Sequence, residues 1–335
     1  MKRQEKRGGR SSRGQPDDSS DSFPGGLQLS AYLSLTTQCN LHCKGCYAVP
    51  ERGPSQCMDY ELAQAILGKL AQLGFGVAWF GGGEPLLYPQ LFDLAEYARS
   101  LSLLPRMTTN GTFLDNAAAR RCRVFDRIHV SLCALDHLPA LEAARHALAR
   151  AGITPALDVL LTNKTFPHLR EIFAWARLMK LSQLQLIKFK VTAENERHRN
   201  LQLFAEQERE LPPLALSLSR KHHLVARLDC AFSPLAEACR LSPREVEQLG
   251  LSGCPGGLHT LAIDEAGRYK PCLFWHETLG HALDLSLDEW LHGEKLARFR
   301  QQAGSENCVG CQYLSACNQG CRLYAEQMCD HEDRR

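Results

Sequence analysis

The sequence predicts an α/β fold on parallel strands, followed by a small cysteine-rich module. Three observations carry this. From Ala31 onward short apolar runs alternate with longer segments of helical period. That alternation stops near Leu224, after which Cys, Gly and Pro become frequent. Most of the fifteen cysteines fall in tight arrays rather than singly. The 335 residues, 44% hydrophobic and 23% charged, suffice for one large core and an appendage.

Strands are expected at Leu33–Thr36, Val77–Gly81, Arg106–Thr108, Arg127–Leu132, Leu157–Thr162 and Gln185–Lys190. Helical period places helices between them, at Tyr60–Leu73, Pro89–Leu101, Ala117–Cys122, Pro139–Ala151 and Pro167–Met179, with another after Phe204. Six such βα units imply parallel strands with right-handed crossovers, in a partial barrel or a doubly wound sheet. In both, ligands gather beyond the C-terminal strand ends.

Before the first strand, residues 1–28 mix Lys2, Arg3, Lys6, Arg7, Arg10 and Arg13 with acids, Gly and Ser, and read as a solvated tail. The formal net charge is +2, from 39 basic and 37 acidic side chains, so no global field favours nucleic acid or an anionic membrane. No apolar run of about 18 residues is present, and the polar start is no secretory signal. A cytoplasmic location is therefore expected, where thiols stay reduced and clustered cysteines point to metal.

Directly after the first strand, Cys39, Cys43 and Cys46 form a CxxxCxxC array ending at Tyr47. Three thiolates on one loop leave one metal position open, since zinc or a full Fe–S ligand set normally takes four protein ligands. His42 inside the array reads as a loop residue. After the second strand comes Phe80-Gly-Gly-Gly-Glu-Pro85, where Gly82 and Gly83 allow a ligand close to the main chain. Alone, Glu84 and Pro85 read equally as ordinary turn chemistry.

Together, the thiol loop followed by an aromatic residue and the Gly-Gly-Glu-Pro turn resemble the radical S-adenosylmethionine (radical SAM) superfamily over residues 30 to about 225. The resemblance implies a partial (β/α)6 TIM-like barrel. It implies a [4Fe-4S] cluster on Cys39, Cys43 and Cys46, with Tyr47 beside it. The amino and carboxylate groups of S-adenosylmethionine would chelate the open iron, and Gly82, Gly83, Glu84 and Pro85 would receive the methionine amine. Reduction would cleave the sulfonium to a 5′-deoxyadenosyl radical that takes a hydrogen from substrate. Asn110 in Thr109-Asn-Gly111, Ser131 on the fourth strand and Asn163 after the fifth are further cofactor contacts, each equally readable as turn chemistry. Where similar enzymes have Ser-Leu-Asp-Gly, this chain has Ser131-Leu-Cys-Ala134, with Cys133 in place of Asp.

Near the C-terminus Cys308, Cys311, Cys317 and Cys321 form CxxCxxxxxCxxxC, followed by Cys329 and preceded by Cys254, Gly267 and Cys272. This pattern resembles the SPASM extension of radical enzymes that modify peptides and proteins. The resemblance implies two auxiliary [4Fe-4S] clusters, three clusters in all. Cys254, Cys272 and Cys321 would share the first, with Cys230 as the chosen fourth ligand, Cys239 its rival and an open position the third alternative. Cys308, Cys311, Cys317 and Cys329 would hold the second. Metal binding would supply part of this module's folding energy. The divisions are thus a tail over 1–28, a radical SAM core over 29–225 and an Fe–S domain over 226–335.

Cys57, Cys122, Cys133 and Cys239 remain and read as buried, inert thiols, with a catalytic Cys57 the exception to weigh. No catalytic base stands out among His222, His223, His259, His276 and His281. The expected function is oxidation or crosslinking of a peptide or protein side chain, with electrons from an external flavodoxin- or ferredoxin-type donor. Leu273 follows Cys272 where sulfatase-maturing relatives carry an Asp base, which argues against that activity. The tail offers no winged-helix leader-binding domain, so leader recognition would need a separate partner or be unnecessary. The alternatives are redox-cofactor or haem-type biosynthesis and, in another class, a non-catalytic Fe–S electron carrier.

Overall fold

The computed structural model describes residues 28–48, 55–181, 183–193, 195–301, 308 and 310–324. The expected tail and Cys329 lie outside them. Seven parallel strands and their helices follow in order. These are β1 Leu29–Thr36, α1 Tyr60–Gln72, β2 Phe75–Gly82, α2 Leu91–Ser100, β3 Leu104–Thr109, α3 Asn116–Arg121 and β4 Arg127–Leu132. Then come α4 Leu138–Arg150, β5 Ala156–Leu161, α5 Leu169–Leu178, β6 Gln183–Lys188, α6 Ala205–His222 and β7 Val225–Leu228. The helices form where apolar spacing gives one buried stripe: α1 buries Ala63, Ile66, Leu67 and Leu70, and the Asp59 carboxylate caps it by accepting from Leu62 N at 3.1 Å.

Beyond β7 come α7 Leu235–Ala238, α8 Pro243–Leu249, β8 Thr260–Ile263, β9 Arg268–Lys270 and β10 Gly280–His281. The strands form one sheet in the order β10-β9-β8-β1-β2-β3-β4-β5-β6-β7, with β8 parallel to β1. The partial barrel expected from the sequence is present, with β7 as one edge. Four strands of this sheet, β7 to β10, escape the sequence reading. β7 has four residues, and β8 is a short apolar run among glycines and cysteines, too brief for periodicity to register. The expected boundary between residues 225 and 226 therefore cuts through β7. The C-terminal segment also extends the core: Leu249, Leu251, Leu261, Ile263, Trp290 and Leu296 join the same buried apolar cluster as the barrel helices.

Strand alternation sorts side chains into two layers. Met107 on β3, Ile128, Val130 and Leu132 on β4, and Leu157, Val159 and Leu161 on β5 belong to the buried core. Arg106, His129 and Asp158 alternate with them, so the layer inside the barrel is polar. There Trp79 stacks on Tyr32 at 5.5 Å, meets His129 edge-on at 4.9 Å and lies 5.6 Å from the Arg106 guanidinium carbon. A parallel strand covered on both faces normally reads as continuously apolar, so polar residues inside mark a lumen for polar chemistry. Among the described residues no helix is long and apolar enough to cross a membrane.

Candidate active site

The three thiols of the first array lie on the loop leaving β1, and the turns after β2 and β3 brace that loop. Gly83 N donates to Thr36 O at 2.6 Å and Glu84 N to Gln38 O at 2.7 Å. The approach is too close for a side chain: a Cβ on Gly83 would stand 2.1 Å from Gln38 O, and Gly82 takes a φ of +111°. Glu84 is 1% exposed, so it is not a solvated turn residue. Its Oε1 accepts from Thr109 Oγ1 at 2.6 Å and Leu86 N at 3.1 Å, and its Oε2 from Asn110 N at 2.8 Å. Burial raises its pKa, and the three hydrogen bonds only partly oppose this. Pro85, also buried, begins the short 3-10 turn that Glu84 caps.

Asn110 ties this brace to the thiols. Its Nδ2 donates to Asn40 Oδ1 at 3.0 Å and reaches Cys39 Sγ at 3.8 Å, while Leu41 N reaches the same sulfur at 3.4 Å. Burial raises the Cys39 thiol and pushes Cys46 up to about 11, whereas a hydrogen bond with Cys133 lowers Cys43. Cys133, expected as an inert thiol, thus stands against the cluster loop. Ser131, half-buried near the end of β4, is in register with Asp158 of β5. Asn163 Nδ2 donates to Asn200 O at 2.7 Å, and its buried Oδ1 has no hydrogen-bond partner.

Four C-terminal thiols lie near one another at a second position. Cys230 is within hydrogen-bonding reach of both Cys254 and Cys321, and Cys272 feels the charges of these two. The bond from Cys230 is the main reason that Cys254 is lowered to about 6 and that Cys321 falls too, while the same bonds raise Cys230 and burial pushes Cys272 up to about 12. Cys239 lies elsewhere, its Sγ against Arg209 O at 3.4 Å. Cys308, Cys311 and Cys317 line one small recess with Ser233, Pro234 and Glu237. Among the described residues no three His, Cys, Asp or Glu side chains converge on a single-ion position. The donors are soft thiols with N–H groups aimed at sulfur, and separate thiol anchors suit a polynuclear cluster, so the residues fit Fe–S ligation.

Of the four remaining cysteines expected to be buried, Cys133 and Cys239 are partly buried. Cys57 is exposed, its Sγ 3.1 Å from Thr36 Oγ1, so it is not a buried thiol. Cys122 is buried as expected.

Residues 33–155 match the family model of the Radical SAM superfamily. The chain is a radical SAM superfamily enzyme. It is 25% identical to the Fe-coproporphyrin III synthase of Methanosarcina barkeri, over 88% of this chain and 83% of that protein. With the mycofactocin maturase MftC of Mycolicibacterium smegmatis it shares 24% identity, over 90% of this chain and 80% of that protein. In fold it is similar to Streptococcus suis SuiB bound to the precursor peptide SuiA, with a TM-score of 0.72 and 16% identity, covering 89% of this chain and 72% of that one. The superfamily's [4Fe-4S] cluster and S-adenosylmethionine are thus this enzyme's cofactors, with the Cys39 loop as the fitting site.

Sequence reasoning passed over a layer that the radical SAM barrel brings to this mouth. His129 Nδ1 and Asp158 Oδ1 are 2.6 Å apart inside it, and His129 Nε2 is buried without a hydrogen-bond partner. Alternation of Arg127, His129 and Ser131 with Ile128, Val130 and Leu132 was the available signal. Lys190, Asp229 and Phe274 are the other omissions, and they meet only through the fold.

Proposed function

We propose that this enzyme reductively cleaves S-adenosylmethionine and oxidises or crosslinks a side chain of a peptide or protein. The observation carrying the cleavage reading is the Cys39–Cys43–Cys46 loop held by the buried Glu84–Asn110 brace at the strand ends. When bound there, cluster and cosubstrate supply a 5′-deoxyadenosyl radical that removes a hydrogen atom from the substrate. The protein's residues position and enclose. Gly82 and Gly83 leave main-chain space for the methionine end, Asn110 and Ser131 line the strand ends toward the nucleoside, and the inner polar layer closes the floor. Tyr47 packs against Phe274 at 4.9 Å, covering the thiol loop from the C-terminal side.

The peptide reading draws support from the likeness to MftC, named a maturase, and from the fold shared with peptide-bound SuiB. The proximity of Cys230, Cys254, Cys272 and Cys321 and the recess at Cys308, Cys311 and Cys317 favour two auxiliary clusters, with Cys329 completing the second. An external flavodoxin- or ferredoxin-type protein would deliver electrons in a reducing cytoplasm. The likeness to Fe-coproporphyrin III synthase over 88% of the chain favours a second reading, action on a tetrapyrrole.

Anaerobic reconstitution with S-adenosylmethionine and dithionite tests both. A pooled synthetic peptide library is expected to stimulate 5′-deoxyadenosine release and to yield a peptide that has lost two hydrogens. Stimulation by an iron tetrapyrrole precursor, with Fe-coproporphyrin III formed from it, would instead replace the peptide reading by the tetrapyrrole one. No 5′-deoxyadenosine under any condition would overturn both.

A further inference from the structure

The short segment after β6 touches both thiol groups. On one side the Phe189 ring packs over Gly45, between Cys43 and Cys46, leaving no room there for a Cβ. Asn195, 1% exposed, donates from Nδ2 to Gly45 O at 3.0 Å and to Lys190 O at 2.9 Å. On the other side Val191 N donates to the Tyr324 hydroxyl at 2.6 Å, three residues past Cys321.

Between these anchors lies Lys190. Its ammonium bonds the Asp229 carboxylate, directly before Cys230, and stands 4.4 Å from the ring centre of Phe274, two residues past Cys272. Asp229 is itself held, since its Oδ1 accepts from Ala231 N at 2.8 Å. Held in contact in this buried site, the ammonium and the carboxylate each favour the other's charged form.

Stability does not explain the pair. Its side chains are 3% and 10% exposed, and replacing such a buried pair by apolar residues is commonly neutral or stabilising. What the pair does supply is a fixed cation and a fixed anion beside four thiols. In a water-poor site, charge stabilises or opposes an electron added to a cluster.

We propose that the Lys190–Asp229 pair sets the reduction potential of the cluster held by Cys230, Cys254, Cys272 and Cys321, Lys190 raising it and Asp229 lowering it. This rests on the reading of those thiols as cluster ligands. Lys190 and Asp229 are positioning residues, acting on the cluster through their charge.

The test is an EPR-monitored dithionite titration of the full-length, anaerobically reconstituted protein in a Cys39→Ala, Cys43→Ala, Cys46→Ala background. The signal lost on Cys230→Ser identifies the cluster in question. Lys190→Met is expected to lower its midpoint, changing the reduced-to-oxidised ratio about tenfold, or ~59 mV for one electron. Asp229→Asn is expected to raise it, Lys190→Arg to hold it near the parent value, and Lys190→Met with Asp229→Asn to fall between the single variants. Where Lys190→Met does not fold, Lys190→Gln, which removes the charge but keeps a donor for Asp229, takes its place with the same expected fall. Unchanged midpoints in cluster-loaded single variants, or in the double variant and one single variant, overturn the inference while leaving the ligand reading intact. A parent protein in which Cys230→Ser removes neither iron nor signal overturns the ligand reading, and the inference with it.

Discussion

The main-chain N–H of Asn110 donates to Glu84 Oε2 at 2.8 Å, joining the turn after β3 to the turn after β2 beneath the thiol loop. The same carboxylate takes Thr109 Oγ1 on its other oxygen, so one buried side chain fixes two strand ends. Glu84→Gln keeps the shape but replaces one acceptor by a donor facing an N–H or O–H. Leaving a buried donor unpaired costs about 1–3 kcal/mol. Urea unfolding of the apo-protein should show that loss, and reconstituted variant should retain less iron on the Cys39 loop.

A pH dependence follows from the same group. Burial raises the folded-state pKa of Glu84, so the neutral acid is favoured on folding. Its stabilising contribution is complete below the ordinary value of 4.5 and is lost as pH rises through the raised folded value. The unfolding free-energy gap between wild type and Glu84→Gln should therefore be widest at the acid end and narrow above pH 4.5. A gap that widens with pH contradicts the assignment.

Cys230 and Cys239 should separate cleanly. Cys230 lies among Cys254, Cys272 and Cys321, whereas Cys239 faces Arg209 O. Cys230→Ser is expected to remove up to about four irons per chain and Cys239→Ser none, by iron and sulfide analysis.

His129 and Asp158 should behave as one unit. Each single change, His129→Ala or Asp158→Asn, breaks a bond between side chains 9% and 10% exposed and is expected to cost about 1–3 kcal/mol. The double variant should lose less than the sum, with a coupling of about 0.5–3 kcal/mol in the urea cycle. Strict additivity would mean that the 2.6 Å contact carries no energy.

The six barrel strands were legible because each is a run of apolar residues bounded by turn residues, and β4 is observed at its expected limits, Arg127–Leu132. The thiol loop, Gly82–Pro85 and Asn110 were legible as local strings. Tertiary relationships were not. Glu84 reads as an exposed acid from its turn alone, since burial comes from Asn110 and Thr109, 26 and 25 residues on. Lys190 and Asp229 are separated by 39 residues and meet only because β6 and β7 are neighbours. Cys230 was chosen over Cys239 from the resemblance alone, and the fold adds that Cys239 lies against Arg209 O.

The central claim is that Cys39, Cys43 and Cys46 hold the cluster that cleaves S-adenosylmethionine, beside two further clusters. The most direct measurement is iron, acid-labile sulfide and 5′-deoxyadenosine after anaerobic reconstitution, in wild type and in Cys39→Ala, Cys43→Ala, Cys46→Ala. About twelve irons per chain should fall to about eight, with 5′-deoxyadenosine formation abolished. A wild type holding only about four irons, or a triple variant that still cleaves S-adenosylmethionine, would contradict it.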